Sequence, residues 1–137
     1  MLTDAEGLEV LAAEQCLELM TTSRLGRIAV TIGAVPAIFP VDYLLFDGQI
    51  IFHAGAGTNL HRAAANRVVA FEVDDVDLSS REGWSVVAVG MAREVKDHDA
   101  VSSDADGAPR LWEPSSGSHV IAILPAFLSG RRFVNAA

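Results

Sequence analysis

This 137-residue sequence predicts a mainly antiparallel β fold, a barrel or a sandwich with a few short helices. Three observations predict it. Five or six short runs are rich in β-branched and aromatic residues, and several alternate apolar with polar side chains. Most are joined by tight turn signals, of which Asp47-Gly48 is the strongest. Helical spacing occurs only near the start and between the third and fourth runs, so the alternation of strand and helix that a parallel sheet needs is absent. At 14.5 kDa the chain fits one domain, residues 1–137, and can bury a core without disulfides or structural metal.

Thr3-Asp4-Ala5-Glu6 reads as a capping box, and Leu8, Leu11, Ala12, Gln15 and Leu19 follow at helical spacing. A first helix is therefore expected to end near Met20. Next, "RIAVTI" reads as a strand, "GA" turns the chain, and "VPAIFPVDYLLF" returns as a second strand. Pro36 and Pro40 remove ladder donors, so this strand is expected to be irregular, kinked or at an edge. Asp47-Gly48 then closes a hairpin in which Phe46 faces Gln49, Tyr43 faces Phe52 and Asp42 faces His53. Past Gly57 come a short helix, "NLHRAAA", a strand, "RVVAFEV", an acidic turn, "DDVD", and a strand, "WSVVAVGMAREV". Periodicity then stops until "HVIAILPAFLSG", of which all or the first half is the closing strand.

Charge and hydropathy exclude several classes of function. A net charge of −8, with no basic patch, repels phosphate backbones and argues against general nucleic-acid binding. Mean hydropathy is high at +0.31, yet charged residues, prolines or glycines break every apolar run before the ~18 residues of a membrane span. No membrane segment is expected, and the surplus apolar surface points to a homodimer. The acidic N-terminus lacks the layout of a secretion signal and Cys16 is the single cysteine, so the cytoplasm is the expected compartment. Cys16 lies within the amphipathic pattern and reads as a small buried apolar residue.

The familiar motifs of metal hydrolysis and acyl transfer are missing, and His53, His61, His98 and His119 are scattered along the chain, so no metal centre is expected. Ser102, Asp104, Asp106, Gly107 and Glu113 match a calcium loop in part, but Pro109 interrupts it and a solvated acidic loop is the reading kept. "GAGTNL" lacks the third glycine of a dinucleotide fingerprint. Its glycines leave two readings open: a loop whose amides close around an anion where a helix begins near Thr58, or a plain strand-to-helix connection.

Together, "GRIAVTIGAVPAIFPVDYLLFDGQIIFHAGAGTNLHRAAANRVVAFEVDD", "GWSVVAVGMAREV" and "LSGRRF" resemble the flavin-binding split-barrel superfamily, in particular actinobacterial proteins related to pyridoxamine 5′-phosphate oxidase. The resemblance runs from about Leu25 to Phe133. It implies a homodimer of six-stranded antiparallel split barrels of Greek-key type, with FMN, or alternatively a deazaflavin, at the subunit interface. By the same resemblance, Phe39, Pro40, Val41 and Asp42 run along the isoalloxazine ring and His53 and Ala54 continue that wall. Thr58 and Asn59 take the phosphate, and Trp84 and Ser85 come from the partner. Relatives commonly place a basic residue at the position of His53 and a lysine at that of Asn59. With both neutral here, the phosphate is expected to lean on the amides of Gly57 to Asn59 and on Arg62, with His61 nearby.

No counterpart is found for the vitamin B6 substrate residues of the true oxidase, which argues against pyridoxamine phosphate oxidation. The function expected is that of an FMN-dependent oxidoreductase of unknown substrate. His53 is the best candidate for a general acid, with Asp42 able to orient it; an ordinary cross-strand pair is the alternative. A protein of the same fold that binds or sequesters a flavin without catalysis is the rival reading.

Overall fold

The computed structural model describes residues 2–95 and 118–134. Its elements run β1 (Glu9–Val10), α1 (Ala13–Met20), β2 (Leu25–Ile32), β3 (Val35–Phe46), β4 (Gln49–Gly55), α2 (Asn59–Ala64), β5 (Arg67–Asp77), β6 (Glu82–Val95) and β7 (Ser118–Phe133). All strands pair antiparallel in the order β1-β7-β4-β3-β2-β5-β6, and a further β6–β7 ladder closes the sheet on itself. Six strands thus make the barrel, and the two-residue β1 is an appendage on β7. The calcium-like stretch, Trp112 and His98 lie outside the described residues. Among the described residues no helix is long and apolar enough to cross a membrane.

Period-two alternation builds the interior. Ile28 and Val30, Val41 and Tyr43, Phe71 and Val73, and Ile121 and Ile123 all point inward and are buried. Gly26 makes this packing feasible at one end, because a Cβ there would stand 2.2 Å from Phe71 Cζ. Cys16 is buried as expected, under β7, and burial pushes its thiol pKa up.

The first turns differ from expectation. Asp4 does not start a helix; its Oδ1 accepts from the N–H groups of Glu6 and Leu8, and its Oδ2 is 2.7 Å from Arg131 Nε. A side chain that satisfies nearby amides competes with helix formation. The chain therefore makes a turn and β1, and the helix starts later, where Gln15 Oε1 accepts from Ala12 N–H. The acidic "DDVD" segment also departs from expectation, as it extends β5 to Asp77 opposite Glu82. The turn itself lies beyond, where Asp77 Oδ1 accepts from the N–H groups of Ser79 and Ser80. The expected Gly33-Ala34 and Asp47-Gly48 turns are present, all four residues having positive φ.

Candidate functional site

The barrel splits between β3 and β4. Their ladder runs from Phe46–Gln49 to Tyr43–Phe52 and stops there. From that point β3 pairs only with β2, back to the Gly33-Ala34 turn, while β4 pairs with β7 as far as Gly55. The two-residue turn makes Ile32–Val35 a hydrogen-bonded pair, so alternation directs the backbone groups of Pro36, Ile38, Pro40 and Asp42 away from β2. Tyr43 N–H donating to the Arg24 carbonyl confirms the phase. Pro36 and Pro40 therefore occupy positions where no ladder donor is lost, and of the expected irregularity, kink or edge it is the edge that holds.

α2 follows the end of β4 and reaches across to β2. A cleft of about 180 Å³ is lined by Thr31, Gly33, Asn59, Arg62 and Arg67, among others. Thr58 caps the helix, its Oγ1 accepting from His61 N–H at 3.1 Å and donating to the Gly55 carbonyl at 2.8 Å. Two of the three amides expected to serve an anion are already used, since Thr58 N–H donates to Gly55 O and Gly57 N–H to His61 Nδ1. Two of the loop's amides thus serve its own closure, and positive charge in the cleft comes from Arg62 and Arg67. Arg62 is held by the Gly57 carbonyl and, at 2.7 Å, by Asn59 Oδ1. Asn59, which stands where a lysine was expected, acts as the rest for an arginine. Sequence reasoning missed Arg67, because only the fold brings the start of β5 beside α2.

Phe39 and Val41 face the interior, whereas Pro40 and Asp42 face outward. Ala54 is buried and His53 half-buried. The expected hairpin register holds for Phe46–Gln49 and Tyr43–Phe52, but the β3–β4 ladder ends before it reaches Asp42 and His53; in the neighbouring ladders His53 is opposite Val120 and Asp42 is opposite Leu25. Arg24 grips the Asp42 carboxylate with Nε at 3.1 Å and Nη2 at 3.3 Å. Asp42 is thus paired with a cation that the sequence pattern did not reveal.

Trp84 and Ser85 lie far from α2 in the same chain. Along the β5–β6 ribbon Arg67 is opposite Ala92, near α2, while Asp74 and Asp75 are opposite Ser85 and Trp84. The eight steps from Arg67 to Asp75 span ~26 Å at ~3.3 Å each. Trp84 lines a separate cleft of about 310 Å³ with Asp75, Gly83, Arg132 and Phe133. Ser85 Oγ donates to Glu72 Oε2 at 3.1 Å. The histidines expected to be scattered are not all so: His61 and His119 stack with ring centroids 4.3 Å apart.

Comparison with known proteins bears directly on this architecture. The pyridoxamine 5′-phosphate oxidase family matches residues 12–132. The uncharacterized Mycobacterium tuberculosis protein Rv0080 is 35% identical over 129 residues, 88% of this chain and 82% of that one. Among solved structures, the FAD binding protein from Mycobacterium smegmatis has a TM-score of 0.78 at 35% identity, covering 91% of this chain and 99% of its own. A FAD-binding protein from Mesorhizobium loti reaches 0.72 at 26% identity, covering 91% and 96%. The chain belongs to the pyridoxamine 5′-phosphate oxidase family of flavin-binding split barrels.

Proposed function

We propose that the protein is a homodimeric flavin-dependent oxidoreductase whose cofactor lies along the free edge of β3, with its phosphate end at the Arg62–Arg67 cleft. The observation that carries this reading is the split between β3 and β4, which leaves an unpaired strand edge leading to two arginines. A phosphate monoester such as FMN carries close to two negative charges, whereas each phosphate of FAD is a diester carrying one. The neutral Asn59 beside the arginines suits the less concentrated charge, and the two flavin-named relatives above are FAD proteins. FAD is therefore the first ligand to test, FMN the second and a deazaflavin the third. A bound flavin would supply hydride or electron transfer, and the chain would supply position and exclusion of water. His53 is the proposed proton donor, held in β4 at the wall of the split.

Dimerisation is supported by a row of outward residues that are successive cross-strand neighbours: Ile38, Ala29, Ala70, Val89 and Phe127. Ile38 is 69% and Phe127 74% exposed, so the apolar surplus of the composition is collected on one face. A second copy on that face is also the means by which Trp84 and Ser85 could join a site near α2. The test is to incubate the purified protein with FAD, FMN and a deazaflavin separately, then follow absorbance near ~450 nm for the flavins and tryptophan quenching. Bound flavin that cycles between oxidised and reduced forms supports the reading. Protein left colourless and unquenched by all three overturns it, and tight binding without turnover leaves the sequestering role.

A further inference from the structure

His61 on α2, Glu94 on β6 and His119 on β7 converge although they are remote in sequence. Glu94 Oε1 is 2.6 Å from His61 Nε2 and 3.0 Å from His119 Nδ1. One nitrogen from each of two stacked rings, inclined by only 13°, thus addresses the same carboxylate oxygen. The side chains are 19%, 24% and 36% exposed for His61, Glu94 and His119, sheltered enough to be held and open enough to be reached.

We propose that these three residues form a binding site for a divalent transition-metal ion of the zinc class, with solvent completing its shell. The three ligand atoms lie within 4.8 Å of one another. Zinc bonds of ~2.0–2.1 Å to nitrogen imply tetrahedral ligand separations of roughly 3.3 Å, so the two nitrogen–oxygen spacings need to widen by only about 0.3–0.7 Å. Two imidazoles and a carboxylate are donors that zinc, cobalt, nickel and copper accept and that calcium and magnesium do not favour. The donors come from three separate elements, so an ion there would tie α2 to the β6–β7 ladder. None of the three lies on the open edge of β3, but His61 holds the Gly57 loop whose carbonyl holds Arg62, and His119 is opposite Ala54, so the site adjoins the proposed phosphate cleft and the zinc titration is made without flavin.

The ring of His61 adds a consequence. Its Nδ1 accepts from Gly57 N–H at 3.4 Å, so in the neutral ring the proton resides on Nε2 and is directed at Glu94. A metal on Nε2 requires the proton at Nδ1, where it faces the Gly57 N–H and breaks that contact. Metal binding is therefore reported by the Gly57 loop as well as by its own ligands.

The experiment is a chelator-competition titration of the tag-free full chain with Zn²⁺ alone, repeated on His119→Ala and Glu94→Gln. One ion per chain is expected, with affinity reduced at least about tenfold in each variant. Binding that is equal in all three proteins, or absent from the unaltered chain, overturns the proposal. If a variant does not fold, NMR of the unaltered chain decides. Zinc should move the His61 and His119 ring resonances together with the Gly57 amide, and resonances that stay in place at saturating zinc refute the site.

Discussion

Tyr43 Oη donates a 2.6 Å hydrogen bond to the Met20 carbonyl oxygen, fastening the last turn of α1 to the inner face of β3. Both residues are buried, so removing the hydroxyl leaves a carbonyl with neither water nor partner. Tyr43→Phe should lower unfolding free energy by about 1–3 kcal/mol in urea denaturation, with its m-value unchanged. Burial raises the phenol's pKa to about 12 from the usual 10.0. Because the folded value is the higher one, the stability it contributes is present below about pH 10 and disappears as pH rises through about 12. Tyr43 is the chain's one tyrosine, so a phenolate absorbance titration of the native protein reads this group alone.

Gly26 is required by shape. A methyl group at that position would stand 2.2 Å from Phe71 Cζ, and Phe71 is fixed in turn by an edge-to-face contact with Tyr43 at 4.9 Å. Gly26→Ala should cost about 1–3 kcal/mol, the usual penalty for overpacking, despite the better strand entropy of alanine. Adding Phe71→Leu should recover part of that loss, since the two lesions share one volume. Additive losses in the double variant would disprove the steric explanation.

On the outer surface, Glu72 accepts from Ser85 and is 3.2 Å from Arg27, yet its pKa is raised. Burial is the largest cause, followed by the hydrogen bond and charge of Asp74; Ser85 and Arg27 oppose them. A carboxyl with a raised folded pKa stabilises the fold below its ordinary value of 4.5 and loses that contribution as pH rises through the folded value. Glu72→Gln removes the titration. The advantage of the variant over the unaltered protein in thermal melts should therefore shrink as pH falls from neutrality toward 4.5, and a constant difference would contradict the assignment.

The fold was legible where side chains act locally. Strand alternation, the Gly33-Ala34 and Asp47-Gly48 turns and the short helix after Gly57 each depend on residues within a few positions of one another. The start of the first helix was misread because Asp4 has the composition of a cap but spends its carboxylate on a turn and on Arg131, which is distant in sequence. The site shows the same division. Thr58, Asn59 and Arg62 lie within a few positions of one another and could be named together from the sequence, while Arg67 beside α2, the Arg24–Asp42 pair and the His61–Glu94–His119 cluster exist only because strands from different parts of the chain become neighbours. Local pattern also could not show that the loop amides are consumed internally, since that depends on where the His61 ring turns.

Arg62 gives the most direct test of the proposed phosphate position. Its guanidinium is exposed but held by Gly57 and Asn59 at the rim of the cleft. Arg62→Met keeps much of the side-chain bulk and removes the charge-assisted hydrogen bonds, each about 1.5–3 kcal/mol. FAD and FMN affinities should fall by roughly 10- to 150-fold, whereas riboflavin, which lacks phosphate, should bind as before. An equal loss for all three ligands would mean that the substitution disturbs the loop and does not reveal a phosphate contact.

The proposed sharing of each site between two subunits makes a prediction that no single-chain site can imitate. Trp84 and the α2 loop are at opposite ends of the β5–β6 ribbon, ~26 Å apart along the strand, so one chain cannot bring them to one ligand. In a two-fold dimer each site would combine Arg62 from one subunit with Trp84 from the other. Arg62→Met and Trp84→Ala homodimers should both bind flavin poorly. When the two variants are unfolded together and refolded in equal amounts, about half of the dimers are mixed. Each mixed dimer holds one site with both lesions and one with neither, so about a quarter of all sites should regain the original affinity, measured as a distinct tight phase in a flavin titration. Ile38→Asp, placed on the apolar row, should abolish this recovery by preventing association, and sedimentation should then give the 14.5 kDa monomer. Variants that mix freely by mass yet show no tight phase would mean that Trp84 lies outside the flavin site, even if the protein is a dimer.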